Sequence, residues 1–239
     1  MNYTWATATH VGHVRDGNED AIAPDSDGIG SGPLLIAIAD GMGGHVGGEV
    51  ASRLAIDAAA GARADVPIAP RSRVEAGNEA VIQASEENPD LAGMGTTLTL
   101  ALFGADGNVR IGHVGDSRMY LLRGGSLRQL TTDHTWVMDM LRRGQLSEEQ
   151  AAKHPRRHLL TRVLGMTDVD VDEDELELHG GDRALLCSDG LTTMLADGSV
   201  QEILVDAETP SDAVWALIEA ANAAGGYDNT TVAVVDVAS

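Results

Sequence analysis

The 239 residues contain a single cysteine, Cys187, so no intramolecular disulfide can form. The N-terminus also lacks a basic stretch followed by an apolar segment. Together these features point to a reducing, cytoplasmic setting. Aromatic residues are scarce, with three Trp, three Tyr and one Phe, which leaves Ala, Val, Leu and Ile to build the core. Basic residues are outnumbered: 16 Lys plus Arg stand against 37 Asp plus Glu, for a formal charge of -21. A nucleic-acid-binding surface needs a basic face to displace counterions, and this balance argues against one. Long apolar runs are missing too. Leu34 to Ala39 and Leu98 to Phe103 fall far short of the roughly 20 residues that cross a bilayer, so no membrane partner is expected. No Pro/Ser-rich linker divides the chain, and one domain over residues 1–239 is the expectation.

Glycine is abundant at 28 residues, beside 43% hydrophobic and 22% charged residues. This is a globular composition with many tight turns. Strand patterns cover Thr4 to His10, Leu34 to Ala39, Thr97 to Phe103, Val109 to Val114, Arg118 to Leu122, Ser126 to Leu130, Ala184 to Cys187 and Thr230 to Val237. The turn chemistry at Arg123, Gly124 and Gly125 reads as a hairpin. Helical periodicity covers Glu49 to Ala62, Val74 to Glu86, Trp136 to Arg143, Glu148 to Lys153 and Asp212 to Ala224, with Ser147 and Gln150 spaced as a capping box. Hairpins mixed with separate helices predict an α+β layering. The acidic run Asp168 to Leu178 lacks the sixth-position glycine of a calcium loop, and its alternation of Val and Asp reads as an edge strand with one wet face.

Four aspartates follow or precede strong strand patterns at turn-like positions: Asp40, Asp116, Asp189 and Asp228. Any one alone reads more simply as a turn former. Four together, at the ends of buried strands, would share a rim where each pair of carboxylates repels by roughly 3 kcal/mol at about 5 Å and an effective dielectric of 20. Such a cluster calls for cations. The donors are carboxylate and carbonyl oxygens, with no zinc-site spacing of Cys or His, so the ions expected are Mg²⁺ or Mn²⁺. Two such ions lower the pKa of a shared water and hold a phosphoryl oxygen, the requirements for phosphate-ester hydrolysis.

The runs RDGNED (15–20), DGMGG (40–44), GTT (95–97), GDSR (115–118), LTRVLG (160–165), CSDGLT (187–192) and GGYDNTT (225–231) resemble, in order and spacing, the metal-dependent serine/threonine protein phosphatases of the PPM family, type 2C-like, in their bacterial form. The resemblance implies a four-layer αββα sandwich, two central antiparallel sheets flanked by helices. It implies hydrolysis of phosphoserine and phosphothreonine in proteins at a binuclear Mn or Mg centre, with a third, weaker ion in many bacterial members. By the same resemblance Asp40 bridges both metals, the Gly41 carbonyl serves the second, and Asp189 and Asp228 complete the first. Glu19 and Asp20 match the acidic pair supporting the second metal, and Asp116 with Asp189 matches the third. Arg15 matches the arginine that holds the substrate phosphate, a role suited to a guanidinium fork. The simpler reading of Arg15 is a surface pair with Asp16 or Glu19. Asn229 is expected to orient Asp228, or merely to form an Asn turn. Gly95, Thr96 and Thr97 are expected only to pack near the metals. The implied partners are phosphorylated proteins that serine/threonine kinases produce, and the implied oligomeric state is a monomer.

One departure stands out. Met42 occupies the position where animal members carry a His proposed to protonate the leaving alcohol, and a thioether donates no proton. The general acid is therefore unnamed. Residues 134–165 correspond to the family's variable flap and hold Arg142, Arg143, Lys153, Arg156, Arg157 and Arg162. These read equally as an attractor for phosphate or as a solvated surface paired with acids. His134, His154 and His158 in the same segment receive no role. A cysteine phosphatase fails on the residues after Cys187, and a serine hydrolase fails for want of a G-x-S-x-G elbow. Two rivals stay open: a catalytically silent binding module, and a metallophosphatase of small metabolites. The chain reads either as a free phosphatase or as an excised catalytic domain.

Overall fold

The computed structural model describes residues 1–43, 45–61 and 69–238. The chain runs through β1 (Asn2–His10), β2 (Asp20–Ala23), β3 (Gly28–Ser31) and β4 (Leu34–Met42) before α1 (His45–Gly61) and α2 (Pro70–Glu87). Next come β5 (Gly95–Thr96), β6 (Leu98–Phe103), β7 (Asn108–Val114), β8 (Arg118–Arg123) and β9 (Ser126–Gln129). The flap segment contributes α3 (Trp136–Arg142) and α4 (Glu148–Ala152). After it follow β10 (Asp172–Glu177), β11 (Arg183–Cys187), α5 (Asp189–Met194), α6 (Asp197–Asp206), α7 (Pro210–Ala223) and β12 (Thr230–Val237).

The strands form two antiparallel sheets, one ordered β3-β1-β12-β11-β8-β9 and the other β10-β7-β6-β4-β2, with β5 paired to β4. Side chains on a strand alternate between faces, and here both faces are apolar. In β12, Val232 and Val234 join the cluster under α6 and α7, whereas Ala233, Val235 and Val237 enter the core between the sheets. In β4, Ile36 and Ile38 point into that central core beside Phe103 and Ile111. Ala37 and Ala39 face Ala51, Ala55 and Ala59 of α1, where small side chains allow the helix to lie close. Helix, sheet, sheet, helix is therefore the layer order, because each sheet must bury two apolar faces.

All eight expected strands and five expected helices are present, with ends displaced by a few residues. The expected end of the first helix at Ala62, and Gly44 of the DGMGG run, lie outside the described residues. The hairpin between β8 and β9 turns on Gly124 and Gly125, at φ of 57° and 79°, the left-handed pair that a two-residue turn of this kind requires. Ser147 and Gln150 form the expected reciprocal cap, and the acidic run supplies β10, an edge strand. Two of the four turn readings are corrected. Asp40 lies inside β4, and Asp189 is the first residue of α5. In each case an apolar run ending in Asp-Gly mimics a turn, but β4 continues because β2 and β5 pair with its last residues.

Candidate active site

One end of the sandwich opens into a cleft of about 750 Å³. Arg15, Glu19, Asp40, Gly41, Asp116, Asp189 and Asp228 all line it, together with Met42, Gly43, Thr193, Tyr227 and the flap residues His158, Leu159, Leu160 and Val163. Seven of the nine residues singled out by sequence thus meet at one site. Asp20 and Asn229 stand behind it.

Each acidic residue is placed by strand pairing. Asp20 of β2 lies opposite Asp40 of β4 in register, which brings two carboxylates to one sheet edge. The Asp40 backbone is clamped from both sides: its N–H donates to Thr97 Oγ1 at 2.9 Å, and its carbonyl accepts from Thr96 Oγ1 at 2.9 Å. Thr96 and Thr97 therefore do more than fill space. Gly41 is required by crowding, since a Cβ there would overlap the Gly48 carbonyl; its N–H donates to the Glu19 carbonyl at 3.1 Å. Asp116 is buried in the turn after β7, and Asp189 opens α5 after Ser188. The Ser188 hydroxyl donates to Asp20 Oδ2 at 2.7 Å, whereas Asp20 Oδ1 is buried with no hydrogen-bond partner among the described residues.

The electrostatics follow from this crowding. Burial, followed by the neighbouring Asp189 and Asp228, lifts Asp20 to about 7 against the lowering by the Thr231 and Ser188 hydroxyls. Asp40 is pushed well above the ordinary carboxylate range by burial and then by Asp20, Asp189, Asp116 and Asp228. Asp116 is raised likewise, by burial and then by Asp189 and Asp133. Desolvated like charges cost this much unless a cation joins them.

Arg15 differs from its simpler reading in its partner. Its Nη2 donates to Asp228 Oδ2 at 2.7 Å, so the pair is made with a candidate metal ligand and with neither Asp16 nor Glu19. Asn229 supports its neighbour through the backbone, its N–H donating to Asp228 Oδ1 at 2.9 Å. Its side chain does something else. Nδ2 donates to the carbonyls of Val11 and Gly17, both at 2.9 Å, and Oδ1 accepts the Glu19 N–H at 2.8 Å. Asn229 thus staples the loop carrying Arg15 and Glu19 onto the start of β12.

Two histidines without a sequence signal shape the site. His134, buried at the root of the flap, exchanges bonds with Gly115: its backbone N–H donates to the Gly115 carbonyl at 2.7 Å, and its Nδ1 accepts the Gly115 N–H at 3.1 Å. That acceptance fixes the proton on Nε2, which faces Asp172 Oδ2 at 3.1 Å. Asp172 in turn takes Arg162 Nη1 at 2.7 Å. Burial, only partly countered by Asp172, keeps the His134 pKa below its usual value. His113 stacks 4.7 Å away, bonded through Nδ1 to Thr99 Oγ1 at 2.8 Å. Burial drives its pKa down to about 3. A chain of polar groups, buried at His134 and half-exposed at Asp172 and Arg162, therefore joins the flap to the turn holding Asp116. His158 reaches the cleft directly, with Nδ1 at 3.7 Å from Asp189 Oδ2.

The flap cations divide. Lys153 pairs with Glu149 at 2.9 Å, and Arg162 with Asp170 and Asp172. Arg156 lies over the Trp136 ring at 5.5 Å. Three of the six basic residues are thus engaged within the protein, and Arg157 lines an adjoining hollow of about 710 Å³ that shares Asp116, His158, Asp189 and Thr193 with the cleft.

Among the described residues no three acidic, imidazole or thiol side chains close into a ready-made metal cage. The donor set nevertheless fits hard cations: every offered atom is an oxygen, Asp20 Oδ1 is orphaned, and Asp40 and Asp116 are charged only at a cost. An ion seated on Asp228 would share that carboxylate with Arg15, which takes Oδ2, and with the Asn229 N–H, which takes Oδ1.

This architecture has known counterparts. The model of the family described as protein phosphatase 2C matches residues 11–225, and the chain belongs to that family. It is 42% identical over 238 residues to the serine/threonine protein phosphatase PstP of Mycobacterium tuberculosis, a match covering 98% of this chain and 45% of that protein. The chain thus spans about half the length of that relative. The serine/threonine phosphatase stp of Listeria monocytogenes is 39% identical, over 95% of this chain and 93% of its own. Among solved structures, the catalytic domain of PstP in complex with two manganese ions superposes with a TM-score of 0.87 at 40% identity, covering 100% of both chains. The two-sheet sandwich is the fold of these phosphatases.

Proposed function

We propose that the chain is a metal-dependent phosphatase that hydrolyses phosphoserine and phosphothreonine in proteins, with residues 1–239 acting as one catalytic domain and 134–165 as its flap. The observation that carries this reading is the confluence of Asp40, Asp116, Asp189 and Asp228 beside Arg15 in one cleft, with an orphaned carboxylate oxygen on Asp20 behind them. Two Mn²⁺ or Mg²⁺ ions would be held by Asp40, the Gly41 carbonyl, Asp189 and Asp228, with Glu19 and Asp20 in support. A third, weaker ion would be held by Asp116 and Asp189. When bound, such ions supply Lewis-acid activation of water and charge neutralisation at the phosphoryl group.

The chain's own residues do the rest. Thr96 and Thr97 hold Asp40 rigid, so its carboxylate loses little freedom on binding. Arg15, 45% exposed in its side chain, presents a fork to two phosphate oxygens once Asp228 turns to other partners. Asn229 sets the distance between Arg15 and Asp228 by fixing both loops. Met42 donates no proton. Cys187 is buried as a free thiol, raised to about 12 by burial; it takes no part as a nucleophile. That free thiol suits a cytoplasmic setting, and no helix among the described residues is long and apolar enough to cross a membrane. We take the working form to be a monomer.

The test is hydrolysis of para-nitrophenyl phosphate and a phosphothreonine peptide with Mn²⁺, with Mg²⁺ and with excess EDTA. Turnover is expected with metal, absent in EDTA. It should fall at least about 100-fold in Asp40→Asn and in Asp189→Asn, since even groups behind metal ligands are worth 10–100-fold. A folded protein inert with every metal would replace this reading with that of a silent binding module.

A further inference from the structure

The cleft lining is chemically mixed. Beside the carboxylates and Arg15, its wall includes Met42, Leu159, Leu160, Val163 and Tyr227. Two of these, Leu159 and Tyr227, belong to the small set of large apolar side chains left open to solvent, at 50% and 62% exposure. Isolated exposed apolar residues are ordinary, but these two come from different segments, the flap and the loop before β12, and line the same opening.

Their exposure is built into the backbone. Leu159 is held on both sides: its N–H donates to the Arg156 carbonyl at 3.1 Å, and its carbonyl accepts the Trp136 N–H at 2.8 Å. The next residue, Leu160, bridges to Thr135. Tyr227 is set by a glycine. Gly225 has φ of 140°, and a Cβ there would lie 2.9 Å from Tyr227 Cε2, so the ring rests where only glycine leaves room. Gly226, between Gly225 and Tyr227, ties that loop to the N-terminal segment, its carbonyl accepting the His13 N–H at 2.8 Å. Met42 and Val163 both lie over Gly95, each within van der Waals reach of a Cβ placed there.

A small polar phosphate ester makes no use of such a wall. A phosphorylated peptide does, because the residues beside the phosphoamino acid must cross the mouth whenever the phosphate reaches Arg15. Resting on the phosphatase reading, we propose that Leu159 and Tyr227 form a subsite for an apolar side chain adjacent to the phosphoserine or phosphothreonine, so that the preferred substrates are protein segments with Leu, Val, Ile, Met or Pro at that flank. Partial burial of one such side chain against these exposed apolar groups would discriminate it from a small polar one by about tenfold.

The test pairs two phosphothreonine peptides identical except for Leu or Ser on both sides of the phosphothreonine. Wild-type protein with Mn²⁺ is expected to show kcat/KM about tenfold higher for the Leu peptide, and the double variant Leu159→Ser, Tyr227→Ala less than about threefold. Because both side chains are exposed, an unchanged melting temperature in the variant separates lost recognition from lost folding. Equal kcat/KM for the two peptides in the wild type, or undiminished preference in the variant, overturns the subsite. Fluorescence anisotropy with labelled forms of the same peptides reads the wall without turnover. Preferential binding without hydrolysis leaves the subsite standing and removes the phosphatase reading; hydrolysis without preference does the reverse.

Discussion

Arg15 and Asp228 are joined within the cleft, Nη2 to Oδ2 at 2.7 Å, and the two residues face opposite demands. Asp228 is a candidate metal ligand and Arg15 a candidate phosphate ligand, so in the proposed reading this ion pair would be loosened as metal and phosphate bind. The pair is 45% and 35% exposed, and its contribution to stability is small, about 0–1 kcal/mol.

Arg15→Ala should therefore separate two functions. Loss of the phosphate fork is expected to raise KM for a phosphothreonine peptide by about tenfold or more, since a charge-assisted bond is worth about 1.5–3 kcal/mol. The same change frees Asp228 and removes a cation from the site, so Mn²⁺ affinity is expected to hold steady or rise. Calorimetric Mn²⁺ titration beside steady-state kinetics makes the comparison. Weaker metal binding with an unaltered KM would reverse the two roles.

Much of this fold could be read from the sequence, and the reasons differ by element. Strand β12 is apolar on both faces, so its eight residues stand out as one run. Strand β10 lies within the acidic run at an edge of its sheet, but it begins at Asp172, after the Val–Asp alternation that suggested a strand, so that part of the reading is corrected. By contrast β2 and β3 are four residues each with no fully buried side chain, and nothing in DAIA or GIGS separates them from loop. The site was legible wherever an aspartate closes an apolar run beside glycine. His134 was not, because its value lies in two bonds to Gly115, nineteen positions earlier in the chain, made only once β7 and the flap root are adjacent. The partner of Arg15 escaped for the same reason: Asp228 is 213 residues away in sequence.

In the proposed reading, metal and protons would compete for the same oxygens. Asp20 titrates at about 7 in the fold, above its usual value of about 3.9, so between those values the folded protein without metal holds a proton that the unfolded chain has released. Stability without metal contributed by this group therefore falls as pH rises through that window. Asp40 and Asp116 are raised in the same direction. His113 works oppositely: with its pKa lowered to about 3, it adds stability that is lost as pH falls below its unfolded value of about 6.5. That term is common to samples with and without metal and cancels in their difference. The gain in melting temperature on replacing EDTA with Mn²⁺ is expected to be at least about 5 °C larger at pH 8 than at pH 5. Scanning calorimetry at matched ionic strength gives the answer, and a gain that is flat or shrinking with pH would mean that these carboxylates do not take the metal.

His134 offers a separation of a different kind, since its two ring nitrogens serve different partners. Nδ1 steadies the Gly115 N–H beside Asp116, and Nε2 ties Asp172 and thereby the flap. Asn places an amide oxygen near the position of Nδ1 but cannot reach Asp172; Gln reaches toward Asp172 but leaves the Gly115 N–H unmet. If the Gly115 bond positions Asp116, His134→Asn should keep the affinity for the weakest-bound Mn²⁺ within about threefold of wild type. His134→Gln should then weaken it by about tenfold, the equivalent of one lost or misdirected buried hydrogen bond. Each variant loses one hydrogen bond of the buried His134 ring and should lose about 1–3 kcal/mol of stability, so denaturant unfolding serves as the control. A metal isotherm that tracks stability alone, equal in the two variants, would leave His134 a packing residue; a split between Asn and Gln at matched stability would assign it the placement of Asp116.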